Sequence, residues 1–211
     1  ANRTSTVTGP LGDQVEAAAA AILGRSNRIL ITRVSEDVAN RLTKRFPQLE
    51  HDVAARALAR FLKLHPHNIA QKTEVMVEHF NAFTRHKIGG RAKAMVVTSS
   101  RLEAVRYKQS FDRYIQEKGY AIKSLVAFSG TVQDDKLAGV TYTEPGMNHG
   151  ISEKELPEKF ASQEYHVLLV AEKYQTGFDQ PLLHTMFVDK RLAGIQAVQT
   201  LSRLNRAHPG K

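Results

Sequence analysis

Four short apolar runs constrain this chain more than any other feature: "AKAMVVT" (92–98), "SLVAFSG" (124–130), "HVLLVA" (166–171) and "HTMFVD" (184–189). None alternates polar with apolar residues, so a strand built from any of them has no side suited to water. Between the first two, "SSR" opens a helical stretch from Leu102 to Lys118 that Gly119 stops. Apolar strands separated by helices predict a parallel sheet covered on both faces, an α/β fold of three layers. In such a sheet, the residues that follow the carboxyl ends of the strands line the crevice where ligands bind.

The first ninety residues read differently. "ANRTSTVTGPLGDQ" is polar and turn-rich, as a linker or a cut edge would be. Residues 14–23 predict a helix ended by Gly24, and "RILITRV" (28–34) a strand. Ser35 then caps a short helix carrying Val38, Leu42 and Phe46 up to Pro47. Residues 52–64 predict another helix, with Val53, Ala57, Phe61 and Leu64 in register. "HPHN" breaks it, and Asn68 is expected to cap a longer helix with Ile69, Met76, Phe80 and Phe83, closed by "KIGG" at 87–90. The organisation expected is an unassigned segment 1–50, a helical connector 51–90 and the sheet domain 91–211. Within the latter a loop runs to Ser152, which forms a capping box with Glu155 for a short helix to Phe160. Asp134, Asp135 and Glu144 fall in that loop and are read as facing solvent.

Charge narrows the partners. Thirty Lys and Arg against 21 Asp and Glu give a net charge of +9, which favours a polyanion because each phosphate contact releases counterions. With no tryptophan and few other aromatics, no base-stacking platform is evident. No apolar run approaches the ~18–20 residues of a membrane helix, and no secretory signal opens the chain. The absence of cysteine excludes thiolate chemistry and suits a reducing cytoplasm. His65 and His67 flank Pro66 without the spacing of a zinc site, and no metal site is expected.

The expected carboxyl edge of the sheet carries "TSSR" (Thr98, Ser99, Ser100, Arg101), "SGT" (Ser129, Gly130, Thr131), "AEKYQTGFD" (171–179) and "DKR" (189–191). Hydroxyls, glycines and arginines at helix starts suit phosphate oxygens, since backbone N–H groups point the same way. Ser99 and Ser100 are equally good as plain helix caps, and Arg101 as a partner for a nearby carboxylate. Near the end stands "QTLSRLNR" (199–206). As a helix turning ~100° per residue, it gathers Gln199, Arg203 and Arg206 within roughly 60° of arc, with Leu201 and Leu204 on the core side. A guanidinium is a planar fork that matches phosphate; the alternative is a solvated basic face.

"AMVVTSSRLEAVRY", "VAFSG", "VAEKYQTGFDQPLLHTMFVDKRLAG" and "QTLSRLNRAHPGK" resemble, in order, motifs IV, IVa, V and VI of superfamily 2 helicases. The wording is similar to that of the R subunit, motor and endonuclease, of type I restriction enzymes, as is "LHPHNIAQKTEVMVEHF" upstream. The resemblance covers about 52–211. It implies the second RecA-like domain of a motor that translocates along double-stranded DNA, with ATP and Mg2+ held mainly by a first RecA-like domain of the same longer chain. Modification and specificity subunits would complete the complex. It implies that Arg203 and Arg206 act as arginine fingers, with Gln199, Gly177 and Asp179 at the nucleotide. Thr98, Ser99, Ser100, Arg101, Ser129, Gly130, Thr131 and Thr176 would follow the DNA backbone. Arginine fingers are worth roughly 10³–10⁵ in rate. Ser202 and Asn205 replace the two glycines of the broad motif VI pattern.

The chain contains no G-x-x-x-x-G-K-[ST] phosphate cradle, no D-E-x-H-like stretch and no paired-carboxylate nuclease core. On its own it is therefore expected not to turn over ATP. The competing expectation is a free-standing basic α/β module that binds nucleic acid without nucleotide chemistry; a phosphate cradle upstream in the gene would decide between them.

Overall fold

The computed structural model describes residues 59–134, 137, 139–173 and 178–208. The readings made for residues 14–47 and for most of 52–64 lie outside them. Contacts divide the chain into two compact units, Ala1–Asn68 and Ile69–Lys211. In the first, residues 59–64 are helical. Asn68 does not cap the next helix, which already starts at Pro66; its Nδ2 donates instead to the carbonyls of Leu62 (3.1 Å) and Lys63 (3.4 Å) and closes the preceding one.

Helix α1 (Pro66–His79) passes into a π-helical turn (Phe80–Thr84). The wider turn breaks the simple i, i+3, i+4 register: Ile69, Met76 and Phe80 are buried, whereas Phe83 is 63% exposed. A single turn, Lys87–Gly90, then reverses the chain through left-handed Ile88 and Gly89.

The sheet follows. Strands β1 (Lys93–Thr98), β2 (Ser124–Ala127), β5 (Val167–Ala171) and β6 (Leu183–Asp189) lie in the order β2-β5-β1-β6, all parallel. The α/β expectation holds, each run forming the strand read from it. β1 and β5 are buried along their whole lengths because both have strands on either side and layers on either face. Helix α2 (Arg101–Lys118) covers one face, against β2 and β5. On the other, Met95, Val97, Leu125, Ala127, Leu168 and Val170 form a core with Leu156 and Phe160 of helix α4 (Leu156–Ala161) and with Leu204. Burying one such leucine or phenylalanine contributes about 1.5–3 kcal/mol, and truncating Leu168 to alanine would cost about 2–5 kcal/mol.

α2 starts where its sequence says it should. Ser100 is extended and its Oγ accepts from Glu103 N (3.2 Å), while Glu103 Oε2 accepts from Ser99 N (2.7 Å). Gly119, left-handed at φ 66°, ends it. The stretch after β2 is not the plain loop expected. It holds an antiparallel hairpin, β3 (Thr131–Gln133) with β4 (Thr141–Thr143), and a one-turn helix α3 (Glu144–Met147) capped by Thr143. "TVQ" and "TYT" alternate at period two, a signal too short to stand out. Glu155 does accept from Ser152 N (3.0 Å), but the helix begins at Leu156 with Glu155, not Ser152, at its N-cap.

The last helix also departs from expectation. α5 (Gly194–Leu201) ends at Leu201, and residues Ser202–Asn205 tighten into a 3₁₀ turn. A 3₁₀ turn advances ~120° per residue instead of ~100°, and the face expected to meet the core is not the one that does. Leu201 is 46% exposed rather than in the core, Arg203 is buried at 6%, and only Leu204 packs inward as read.

Candidate functional site

The carboxyl edge of the sheet brings together the two turns that follow β1 and β2. Thr98 is fully buried, and its hydroxyl donates to the carbonyls of Val170 (3.0 Å) and Ser100 (3.1 Å), fixing the turn. Ser99 Oγ donates to Glu103 Oε2 (2.6 Å) and Ser100 caps α2, so these hydroxyls order the helix start. Arg101 is exposed and donates from Nη1 to Ser129 O (3.0 Å) and more distantly to Thr131 O (3.5 Å). No described carboxylate pairs with it; the neighbour it meets is main chain. Gly130 is left-handed (φ 72°), and a Cβ there would stand 3.3 Å from Arg101 Nη1. Glycine at 130 thus lets the guanidinium lie against the turn.

Asp134 and Glu144 do not face solvent. Asp134 accepts from Arg106 Nη2 (2.7 Å), Tyr142 Oη (3.0 Å) and Leu137 N (3.1 Å). Glu144 is 3% exposed and accepts from Lys173 Nζ (2.8 Å) and Phe128 N (2.7 Å). These two loop carboxylates are structural partners of cations, and Asp135 lies outside the described residues.

At the end of β6, Asp189 accepts from Lys72 Nζ (2.7 and 2.9 Å) and Tyr107 Oη (2.5 Å). Burial, and then the Asp189 charge, push the Tyr107 hydroxyl far above the ordinary phenol range, so it remains a donor. Lys72 and Tyr107 went unnoticed in the sequence; each lies on a helix face whose partner only the topology supplies.

Beside β6 lies the arginine turn. Arg203 reaches Phe178 O with Nη1 (3.4 Å), and no described carboxylate pairs with it. Burial, and secondarily the charge of Arg206, lower its pKa from the usual guanidinium value. Arg206 stands on the surface with Nε 3.2 Å from Asp179 Oδ1. Gln199 is exposed on α5. The single arc expected for Gln199, Arg203 and Arg206 is therefore not formed: Arg203 turns inward and the other two outward, and the helix gives way to a 3₁₀ turn at Ser202 between them. Thr176 and Gly177 lie outside the described residues. Among the described residues no three His, Asp or Glu side chains gather as a metal site, and no helix is long and apolar enough to cross a membrane.

A parallel sheet layered on both faces, with turn hydroxyls, an arginine and a buried-plus-surface arginine pair around it, defines an α/β domain of three layers. Comparison with known proteins gives it relatives. Residues 140–211 match the family described as Type I restriction enzyme subunit R domain 3, and residues 10–62 a LarB/PurE-like N-terminal domain. Two Methanocaldococcus jannaschii proteins, named as the endonuclease subunits of the type I restriction enzymes MjaVIIP and MjaIXP, are 29% and 31% identical over 172 and 149 residues. The matches cover 70% and 68% of this chain but 14% and 13% of those proteins, so the chain spans about one seventh of their length. The crystal structure of the Pyrococcus furiosus Hef helicase domain aligns over 93% of this chain and 34% of that one, at 15% identity and a TM-score of 0.40. The chain is thus similar in sequence to the endonuclease subunits of type I restriction enzymes, whose motifs it resembles.

Proposed function

We propose that this chain supplies the second motor domain of an ATP-dependent translocase of double-stranded DNA within a type I restriction endonuclease. The observation that carries this reading is the arginine pair: Arg206 stands exposed beside Asp179, and Arg203 is buried beside Arg206 with no carboxylate partner among the described residues. A surplus of positive charge held on a short rigid turn suits a phosphate anion. ATP, with Mg2+, would be held mainly by a first RecA-like domain and would bring the triphosphate whose transfer chemistry the motor uses. Arg203 ties the 3₁₀ turn to the chain at Phe178 and positions it. Arg206 is the group able to leave a surface carboxylate for a stronger anion, where a guanidinium stabilises charge developing on transferred phosphate. Asp179 pairs with it, Gly177 stands two residues before Asp179 in sequence, and Gln199 is assigned to the nucleotide with them.

Along the carboxyl edge, Arg101 and the Ser129–Thr131 turn follow the DNA backbone, held in place by Thr98, Ser99 and Ser100; Thr176 belongs to the same edge by sequence. Modification and specificity subunits, and a cytoplasmic location, go with this reading.

The test is fluorescence anisotropy of a labelled duplex with the 211-residue chain between 50 and 200 mM salt. Binding should be independent of sequence and fall with salt, and Arg101→Ala should flatten the log–log slope by about 0.9, one phosphate contact. No binding, or binding indifferent to salt, overturns the proposal.

A further inference from the structure

Beyond Thr131, the β3–β4 hairpin is a surface that the preceding reading leaves without a role. Its register sets Thr131 opposite Thr143 and Gln133 opposite Thr141, so these four side chains share one face, and all four residues are exposed. Val132 and Tyr142 share the other face, which is turned towards the domain. Thr131, Gln133 and Thr141 make no side-chain hydrogen bond to any described residue. Thr143 Oγ1 accepts from Gly146 N (3.2 Å), which leaves its hydroxyl proton to donate.

Two features make this face more than polar decoration. The hairpin is rigidly mounted: Arg106 of α2 and Tyr142 of β4 both close on Asp134, whose own N–H donates to Val140 O (2.9 Å). Its described strands also show no outward carboxylate: Asp134 and Glu144 are turned inward and matched by Arg106 and Lys173, while Asp135 lies outside the described residues, so this face offers hydroxyl and amide donors with the Arg101 guanidinium at its base. An acceptor-rich, anionic partner is complementary to that surface.

The hairpin starts at Thr131, directly after the Ser129–Gly130 turn that Arg101 holds, so its face continues the carboxyl edge. We infer that the face formed by Thr131, Gln133, Thr141 and Thr143 is a rail that rests on the sugar-phosphate backbone of double-stranded DNA, extending the contact beyond the strand ends. The inference rests on the DNA-binding part of the proposed function. It deepens that part by naming two residues, Gln133 and Thr141, that no motif marks.

The chain has no cysteine, so a single introduced thiol is a unique handle. Gln133→Cys and Thr141→Cys, each carrying an aryl azide, should photocrosslink a bound duplex. Glu117→Cys, exposed near the far end of α2, should not. In parallel, Gln133→Lys should tighten binding and steepen the salt slope by about 0.9, while Gln133→Glu should weaken it. Thermal melting of each variant checks that the fold is intact. No crosslink from position 133 or 141 in a chain that binds DNA and is weakened by Arg101→Ala overturns the rail alone. Equal crosslinking from position 117 does the same. Absence of any DNA binding by the unmodified chain overturns the rail together with the reading it rests on.

Discussion

Arg206 holds its Nε 3.2 Å from Asp179 Oδ1, with 51% and 66% of the two side chains exposed. An ion pair so open to water contributes no more than about 1 kcal/mol to stability. Arg206→Ala should therefore leave the melting temperature of the chain nearly unchanged. In the intact motor, the same substitution should remove DNA-stimulated ATP turnover while ATP binding largely persists, because the group acts on charge formed in the transition state. A stably folded Arg206→Ala motor with near-normal turnover would end the arginine-finger assignment.

Arg203 calls for a different substitution. Its guanidinium is buried and no described carboxylate pairs with it, an arrangement in which the charge itself is unfavourable to folding. Arg203→Met keeps the stem and removes the charge. Chemical denaturation should find its stability within about 1 kcal/mol of the parent chain, or above it, while turnover of the intact motor falls. A loss of several kcal/mol would show that the charge holds the fold together.

The two leucines of the same segment separate cleanly. Leu201→Ala, at a 46% exposed position, should change stability by less than about 1 kcal/mol. Leu204→Ala, which removes a side chain packed on the core, should cost roughly 1–3 kcal/mol. Equal losses in urea denaturation would contradict the exposed placement of Leu201 and the inward placement of Leu204.

His166 gives the fold an acid-sensitive point. Burial, and then the positive charges of Lys93, Arg85 and Lys123, lower its pKa from 6.5 to about 4. The folded imidazole refuses a proton that the unfolded chain accepts, so stability is full above pH 6.5 and is lost as pH falls towards 4. His166→Asn retains an acceptor for Lys123 N and cannot titrate. The stability difference between the parent chain and this variant should shift against the parent across that window. A difference constant with pH would show that His166 is not the group responsible.

How much of this was legible in sequence depended on how local the cause was. The four strands and α2 were readable because apolar runs, a serine cap and Gly119 act within a few residues. The carboxyl-edge placement of Arg101 and Ser129 followed from parallel pairing alone. The roles of Asp134 and Glu144 were not readable: each is matched by a cation 28 or 29 residues away that only packing selects. Lys72 and Asp189 are 117 residues apart, beyond any periodic signal. The arginine turn was misread for a subtler reason. Nothing in "TLSRLN" announces a change from α to 3₁₀, and the side of this short segment that meets the core is selected by packing that no local pattern encodes.

The sheet register carries a consequence for how the chain is made. β1 is central, yet both of its neighbours arrive late: Thr98 Oγ1 bonds Val170 O, 72 residues downstream, and β6 lies further on. At ~5–20 residues per second, a ribosome takes roughly 4–14 s to deliver that first partner. Throughout that interval "KAMVVT", a strand buried along its whole length in the finished sheet, is unpaired. It can be shielded on one face by α2 but has nothing to occupy its edges. The nascent chain is thus most prone to aggregation midway through its own synthesis, and the yield of soluble protein should respond to holdase chaperones and to translation speed more than to the stability of the finished fold.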